Sequence, residues 1–187
     1  TTAVSYPYAS INAFNLFALL GGNWAPQDAV PFLLSWKQWG FVGILVITVV
    51  TGWFAVASYR RNPKQFSPFL LGAFYCCGIF TLAHNMHERY LFPAVLFLFA
   101  AFALLRDRRL LALAVCFSFS ALANVATIYL HVSGSDEFLT TASSKLIVFI
   151  ISLAQVLLFC WLCYVCYQIC IRGQVSPMQN TPRPASR

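Results

Sequence analysis

The chain has 187 residues, of which 60% are hydrophobic and only 9% are charged, and its mean hydropathy is +0.73. Soluble domains carry roughly 25% charged residues, so this composition excludes a soluble globular protein. The net charge of +7 does not indicate a nucleic-acid partner, because the chain has no long Lys/Arg-rich run. We therefore predict an all-α, polytopic transmembrane helical bundle, a multi-pass integral membrane protein in contact with membrane lipids.

The first 38 residues form a mixed polar and apolar segment ahead of the bundle. The chain begins at Thr1 and shows no signal peptide, so we expect a processed chain or a fragment. Within this segment, residues 10–20 are too few to cross a bilayer. They predict an interfacial or re-entrant helix on the outer face, capped by Ser10 and ended by Gly21.

Five apolar stretches follow, and they predict about five spans at 39–59, 66–83, 90–105, 110–130 and 145–171. Each covers most or all of a hydrocarbon layer of roughly 30 Å, and the second and third are short. The last residues, 172–187, lack apolar periodicity and predict a disordered tail. The predicted organisation is thus an outer segment 1–38, a bundle 39–171 and a tail.

The basic residues divide unevenly between the two sides of the predicted spans. Three fall on one side, namely Lys37, Arg89 and Lys145, and the nine others fall on the opposite side. Because cytoplasmic loops are enriched in Lys and Arg, the side with nine is predicted to be cytoplasmic. The N-terminus is then predicted on the outer or lumenal face and the C-terminus in the cytoplasm.

The seven cysteines all lie inside apolar stretches, where a thiol behaves as a small hydrophobic group. Four of them recur at helical spacing as one stripe, at Cys160, Cys163, Cys166 and Cys170. Thiolate ligands need a polar surrounding that these helices do not offer, so packing is the favoured interpretation. We expect no disulfide framework and no cofactor.

The chemistry-bearing stretch is 84–90, which places two histidines, Glu88 and Arg89 between apolar spans. Ionisable groups near bilayer depth are costly and indicate a functional site. If the stretch is helical, His84, His87 and Glu88 share one face. The Arg89 guanidinium has the planar donor fork that suits phosphate, Glu88 would orient it or a histidine, and the histidines would donate to phosphate or sugar oxygens. Pro93 fits the first turn of the next span, whose free N–H groups also favour an anion.

Besides a proton relay, three alternatives to phosphate recognition stay open for this stretch. It could be a solvated turn, or a structural ion pair of Glu88 with Arg89 or Lys37. The third alternative is a metal site, in which the two histidines would need one further ligand. The candidates for that ligand on the same side of the membrane are His131, Asp136 and Glu137. Phosphate or phosphosugar recognition is the hypothesis we favour, with no metal.

Residues 6–21, 23–24, 34–40 and 84–93 together resemble the C-terminal part of bacterial membrane proteins similar to the GPI-anchor mannosyltransferases, in the GT-C glycosyltransferase superfamily. The resemblance runs from about Tyr6 to about Pro93. It implies a multi-span enzyme that takes a sugar from a polyprenyl- or dolichyl-phosphate donor and passes it to an acceptor on the outer or lumenal side. It also implies that the lipid-phosphosugar pocket is lined by Asn12, Asn15, His84, His87, Glu88 and Arg89.

The same resemblance implies that part of the active site is missing. In that superfamily the catalytic acidic residue lies in the first outer loop of the full protein, and Asp28, Asp136 and Glu137 match no such motif. The catalytic residue is therefore unknown. We expect the C-terminal portion of a lipid-phosphosugar-dependent glycosyltransferase, which needs its upstream part or other membrane subunits as partners. The alternative is a non-enzymatic integral membrane subunit or scaffold of a larger membrane complex.

Overall fold

The structure is a computed structural model that describes residues 7–133 and 142–177. The predicted all-α bundle is confirmed. Its helices are α1 (Leu16–Leu19), α2 (Trp36–Arg61), α3 (Pro68–Leu82), α4 (Phe92–Leu105), α5 (Arg108–Ser133) and α6 (Ala142–Cys166). A π-helical turn extends α6 over Tyr167–Arg172, and 3-10 turns cover Pro63–Gln65 and Glu88–Leu91.

Within the described residues, four helical segments are long and apolar enough to cross a membrane, as expected for a multi-pass integral membrane protein. They are Trp36–Arg61, Glu88–Leu105, Arg108–Leu130 and Lys145–Arg172. The remaining predicted span is shorter, because α3 has only 15 residues, which cover about 22 Å. Since α3 packs against α2, α4 and α6, it is the inner helix of the bundle.

Aromatic side chains join α3 to its neighbours. The Phe74 ring lies edge-on to Phe54 of α2, with ring centroids 5.2 Å apart, and stacks on Phe159 of α6 at 5.9 Å. Gly78 of α3 faces Ile47 of α2, which leaves no room for a Cβ atom. These contacts hold α2 and α6 against α3 in one buried core.

The N-terminal segment is not the helix that was predicted to start at Ser10. Residues Ser10–Ile11 form a short strand, β1, and Asn12 has a left-handed backbone with φ +58°. The Ser10 hydroxyl donates to the carbonyl of Ala13 at 2.7 Å instead of capping a helix. The prediction was wrong because a polar side chain that bonds nearby backbone competes with helix formation, and β1 has a partner far along the chain.

Helix α1 begins later and is capped by Asn15. The Asn15 Oδ1 atom accepts hydrogen bonds from the N–H groups of Phe17 and Ala18, at 3.0 and 3.1 Å. The helix ends at Leu19, and Gly21 follows with φ +86°, a conformation that glycine adopts without strain. Only one turn of the predicted helix is therefore present.

Strand β1 pairs in parallel with β2 (Met86–His87), so that Ser10 lies opposite Met86 and Ile11 opposite His87. The N–H of Asn85 also donates to the carbonyl of Ala9 at 2.8 Å. The connection between the two strands includes α2 and α3, in keeping with the long crossover that parallel pairing requires. This pairing joins the N-terminal segment to the 84–90 stretch at what we call the motif end, where α2 and α4 begin and α3 ends.

The described basic residues divide between the two ends of the bundle. Lys37, Arg89 and Lys145 lie at the motif end, and seven lie at the opposite, basic end: Arg60, Arg61, Lys64, Arg106, Arg108, Arg109 and Arg172. This division follows the connectivity of the helices. The side of the membrane that each end faces stays a prediction.

The described part of the predicted tail, residues 172–177, lies on the α4–α5 turn. The N–H of Ser176 donates to the Asp107 carboxylate at 2.9 Å, and the Arg109 guanidinium donates to the carbonyl of Gln174 at 2.6 Å. These residues are thus held at the basic end. The rest of the predicted tail, 178–187, lies outside the described residues.

Candidate functional site

The first part of the 84–90 stretch is extended. A helix was the condition under which its side chains were expected to share one face. Helix α3 ends at Leu82, Asn85 has φ +58°, and β2 follows. The prediction that His84, His87 and Glu88 share one helical face is therefore wrong, because a left-handed residue and strand pairing interrupt the helix. Helical geometry returns at Glu88–Leu91, and Pro93 lies in the first turn of α4, as the sequence predicted.

His84 is half-buried against the first turns of α2. Its ring lies edge-on to Phe41 with centroids 5.1 Å apart, and its Nδ1 atom is buried without a hydrogen-bond partner among the described residues. Burial, and then the positive charge of Lys37, lower the pKa of His84 below its ordinary value. The lowered pKa favours the neutral ring at pH 7, in which one ring nitrogen carries a proton that can be donated to a ligand.

Two glycines of α2 allow this close approach. A Cβ atom added at Gly40 would lie 2.6 Å from the backbone nitrogen of His84, and one added at Gly43 would lie 2.9 Å from the carbonyl carbon of Leu82. Distances below 3.0 Å require the backbone to move. The position of His84 is therefore set by its close contact with α2, and glycine at position 40 allows that contact because it has no Cβ atom.

Glu88 lies between the other two candidate ligand-binding side chains. Its carboxylate oxygens are 4.0 Å from His87 Nδ1 and 4.0 Å from the Arg89 guanidinium. The predicted Glu88–Arg89 pair thus exists as a long contact. The Arg89 side chain stays 61% exposed and lies over the Tyr90 ring at 5.6 Å, so most of its donors remain available to an anion.

His87 lies near one positive and one negative side chain, Arg89 and Glu88. Burial, and then the positive charge of Arg89, lower the pKa of His87, whereas Glu88 acts in the opposite direction. The net shift is downward. His84 and His87 are thus both neutral histidines beside cations, an arrangement in which a bound anion would be favoured.

The two asparagines of the predicted site have different surroundings. Asn12 forms an isolated antiparallel β-bridge with His87. Its Oδ1 atom accepts a hydrogen bond from the Trp24 indole N–H at 2.8 Å. Asn15 is fully buried, caps α1, and donates from Nδ2 to the carbonyl of Phe80 at 2.9 Å. Asn12 therefore lies beside the motif, and Asn15 positions the N-terminal segment on α3.

Asn124 of α5 also holds this segment. In the amide orientation that satisfies both groups, Asn124 donates to the carbonyl of Asn12 at 2.8 Å and accepts from the N–H of Phe14 at 3.0 Å. Polar side chains inside apolar spans commonly form interhelical hydrogen bonds. Gln155 does make such a bond, accepting from Ser120 of α5 at 2.8 Å.

An apolar groove of about 360 Å³ opens beside the motif, between α1 and the first half of α2. Its wall reaches Leu82, two residues before His84, and includes Trp39 and Gly43, which flank Gly40 in α2. Other lining side chains are Phe17, Leu20, Trp36 and Val46. His84 and Lys37 do not line the groove, but each is close in sequence to a residue that does, Leu82 and Trp36 respectively.

No family model, curated protein or solved structure matches the chain. Within residues 7–133 and 142–177, no group of three or more His, Cys, Asp or Glu side chains is placed to hold a metal ion. Asp136, Glu137 and the side chain of His131, the suggested third metal ligands, lie outside the described residues.

Proposed function

We propose that this chain is the C-terminal portion of an integral-membrane, mannosyltransferase-like glycosyltransferase, and that its motif end binds a polyprenyl- or dolichyl-phosphate sugar donor. The observation that carries the proposal is the apolar groove whose wall includes Trp36, Trp39 and Leu82, beside the contact of His84 with Gly40. A prenyl chain in this apolar groove would be stabilised by about 25 cal/mol for each Å² of apolar surface that it buries. The phosphate would then lie among His84, His87 and Arg89.

The charges around the motif support a phosphate at this place. Arg89 offers the planar donor fork, and Lys37 is close enough to His84 to lower its pKa. Neutral histidines donate hydrogen bonds and gain a proton more readily once a negative charge is bound. These groups would stabilise the phosphate as it leaves the sugar, which is the electrostatic part of glycosyl transfer.

A complete transferase also needs a carboxylate to deprotonate the acceptor. Among the described residues the acids are Asp28, Glu88 and Asp107. Asp107 is buried at the basic end, Glu88 lies between His87 and Arg89, and Asp28 is exposed on the loop before α2. In this proposal the base comes from an upstream part of the same enzyme or from another membrane subunit.

Arg89→Lys is expected to weaken donor binding about fivefold. Lysine keeps the charge but loses the planar fork, and a partly exposed ionic contact is worth about 1 kcal/mol or less. The measurement is a titration of the protein in lipid nanodiscs with polyprenyl-phosphate mannose. Arg60→Lys at the basic end is the matched control and should bind as the wild type does. If Arg89→Lys and the wild type bind the donor with equal affinity, the Arg89 guanidinium does not recognise the phosphate, and its charge affects only the orientation of the chain in the membrane.

Donor binding is expected to strengthen as the pH falls from about 7.5 towards 5.5. The pKa values of His84 and His87 lie below the ordinary value of about 6.5 in the free protein, and a bound anion raises them. Binding therefore takes up protons. The phosphodiester of the donor does not titrate in this range, so the change reports on the protein. The double variant His84→Gln/His87→Gln should have a flat profile, and a flat wild-type profile would exclude the two rings from the phosphate site.

A second candidate function is a non-enzymatic subunit or scaffold of a membrane complex. The observation that favours it is a wider apolar groove of about 580 Å³ between α5 and α6, bordered by exposed Phe119 and Leu157. Such a groove fits a further membrane helix. A chain that purifies in fixed ratio with another membrane protein, and that binds no lipid phosphosugar in that complex, would establish this function.

A further inference from the structure

A second groove at the motif end, of about 390 Å³, lies between the N-terminal segment and α6. Helix α1 separates it from the apolar groove, since Phe17 and Leu20 line the apolar groove and Ala18 and Leu19 line this one. The other lining residues are Gly21, Asn23, Trp24, Lys145, Val148 and Phe149. An aromatic ring, an amide and an ammonium group thus surround one space.

Trp24 is held outward at this groove by specific contacts. The side chain is 43% exposed, although its backbone has φ +60°, a left-handed conformation that bulky residues rarely adopt. Its backbone N–H donates to the carbonyl of Ser10 at 2.9 Å, and its indole N–H donates to Asn12. Tyr8 packs edge-on against the ring at 5.1 Å. Backbone strain of this kind persists only where the surroundings enforce it, and it concentrates at ligand-binding sites.

The fixed indole presents a flat apolar face, which is the surface on which the C–H face of a pyranose ring stacks. Asn23 uses its Oδ1 atom to accept from the N–H of Asn12 at 3.0 Å, so its amide NH₂ is left to donate to sugar hydroxyl groups. Lys145 is exposed on the opposite wall. No acidic residue of the described chain lines the groove, so the ammonium charge favours an anion.

We propose that this groove binds a saccharide that carries a negative charge. The sugar ring stacks on Trp24, its hydroxyl groups accept hydrogen bonds from Asn23, and its carboxylate or phosphate pairs with Lys145. The site does not share residues with the donor site at Arg89. The test of this saccharide site is therefore independent of the test of the proposed glycosyltransferase function.

The test is saturation-transfer difference NMR on the full chain in nanodiscs with three probes: methyl glucoside, methyl glucuronide and glucose 6-phosphate. We expect transfer to the ring protons of all three probes, and about fivefold tighter binding of at least one anionic probe, the size of a single exposed ion pair. The preferred anionic probe identifies carboxylate or phosphate as the partner of Lys145. In Lys145→Gln the advantage of the anionic probes should disappear.

Trp24→Gly is the variant that separates binding from folding, because glycine removes the ring and also relieves the left-handed backbone. The relief of the left-handed backbone offsets the lost contacts with Asn12 and Tyr8, so the variant should stay folded with a thermal stability close to that of the wild type. It should lose transfer to all three probes. Trp53→Ala, which removes a 54% exposed indole on α2, is the control and should bind normally. Absence of transfer in the wild type, unchanged transfer in Trp24→Gly, or equal affinity for neutral and anionic probes would overturn the proposal.

Discussion

Asp107→Ala is expected to lower the free energy of unfolding by about 3 to 5 kcal/mol, the cost of removing one partner of a buried ion pair. The Asp107 side chain is fully buried, and it accepts two hydrogen bonds from the Arg109 guanidinium, at 3.0 and 2.7 Å. It also accepts from the N–H groups of Arg109 and Ser176, each at 2.9 Å. The substitution leaves Arg109, only 18% exposed, without its counter-charge.

The direction of the Asp107 pKa agrees with this role. Burial alone would raise it, but the hydrogen bonds from the Arg109 side chain, the Ser176 N–H and the Arg109 N–H outweigh burial and hold the pKa below its ordinary value of 3.8. The contribution of Asp107 to stability is therefore complete above about pH 4 and is lost as the pH falls through the lowered pKa.

Reversible unfolding by dodecyl sulfate in mixed micelles measures the free energy for Asp107→Ala. Asp28→Ala is the matched control, because Asp28 is exposed and a surface substitution changes stability by about 0.5 kcal/mol or less. The same comparison reports on the residues at 174–177, whose amide protons should exchange faster in Asp107→Ala. Equal losses in the two variants would contradict a buried anchor at the basic end.

Gly40→Ala is expected to destabilise the protein by about 2 to 3 kcal/mol, at the upper end of the cost of overpacking. The new Cβ atom would lie 2.6 and 2.7 Å from the backbone nitrogen and Cβ of His84, so the turn after α3 must move away from α2. Because His84 moves with it, donor affinity should also fall. The stability loss and the binding loss come from one displacement.

Gly52→Ala is the internal control for Gly40→Ala, since both glycines belong to α2. A Cβ atom added at Gly52 meets nothing within 4 Å, so alanine there should raise stability by about 0.5 to 1 kcal/mol through its better helix propensity. The two substitutions should therefore shift thermal unfolding in opposite directions, and only Gly40→Ala should weaken donor binding. Similar behaviour of both variants would mean that α2 does not press on His84.

The helices of the bundle could be predicted from the sequence because long apolar runs must bury their backbone hydrogen bonds in a membrane. The N-terminal segment could not, because its conformation depends on partners far along the chain. Ser10–Ile11 is extended because Met86–His87 lies beside it, and Asn124 holds the backbone at Asn12 and Phe14. A local helical pattern contains no information about such partners.

The residues of the site divide in the same way. His84, His87, Glu88 and Arg89 stood out because charges are costly in an apolar context. The place of His84 against Gly40 and the outward orientation of Trp24 depend on tertiary contacts, and only the structure gave them. The sequence shows which positions carry polar side chains. Which residues those side chains contact depends on how α2, α3 and the N-terminal segment pack together.

Photoaffinity labelling tests the donor-binding claim most directly. A polyprenyl-phosphate mannose with a diazirine on its prenyl chain would be bound to the full chain in nanodiscs, and the labelled peptides identified by mass spectrometry. We expect labelling of Leu16–Leu19 and of the first half of α2, which line the apolar groove, and loss of this labelling when unlabelled donor competes. Labelling confined to the α5–α6 groove, or unaffected by competing donor, would contradict a lipid-phosphosugar site at the motif end.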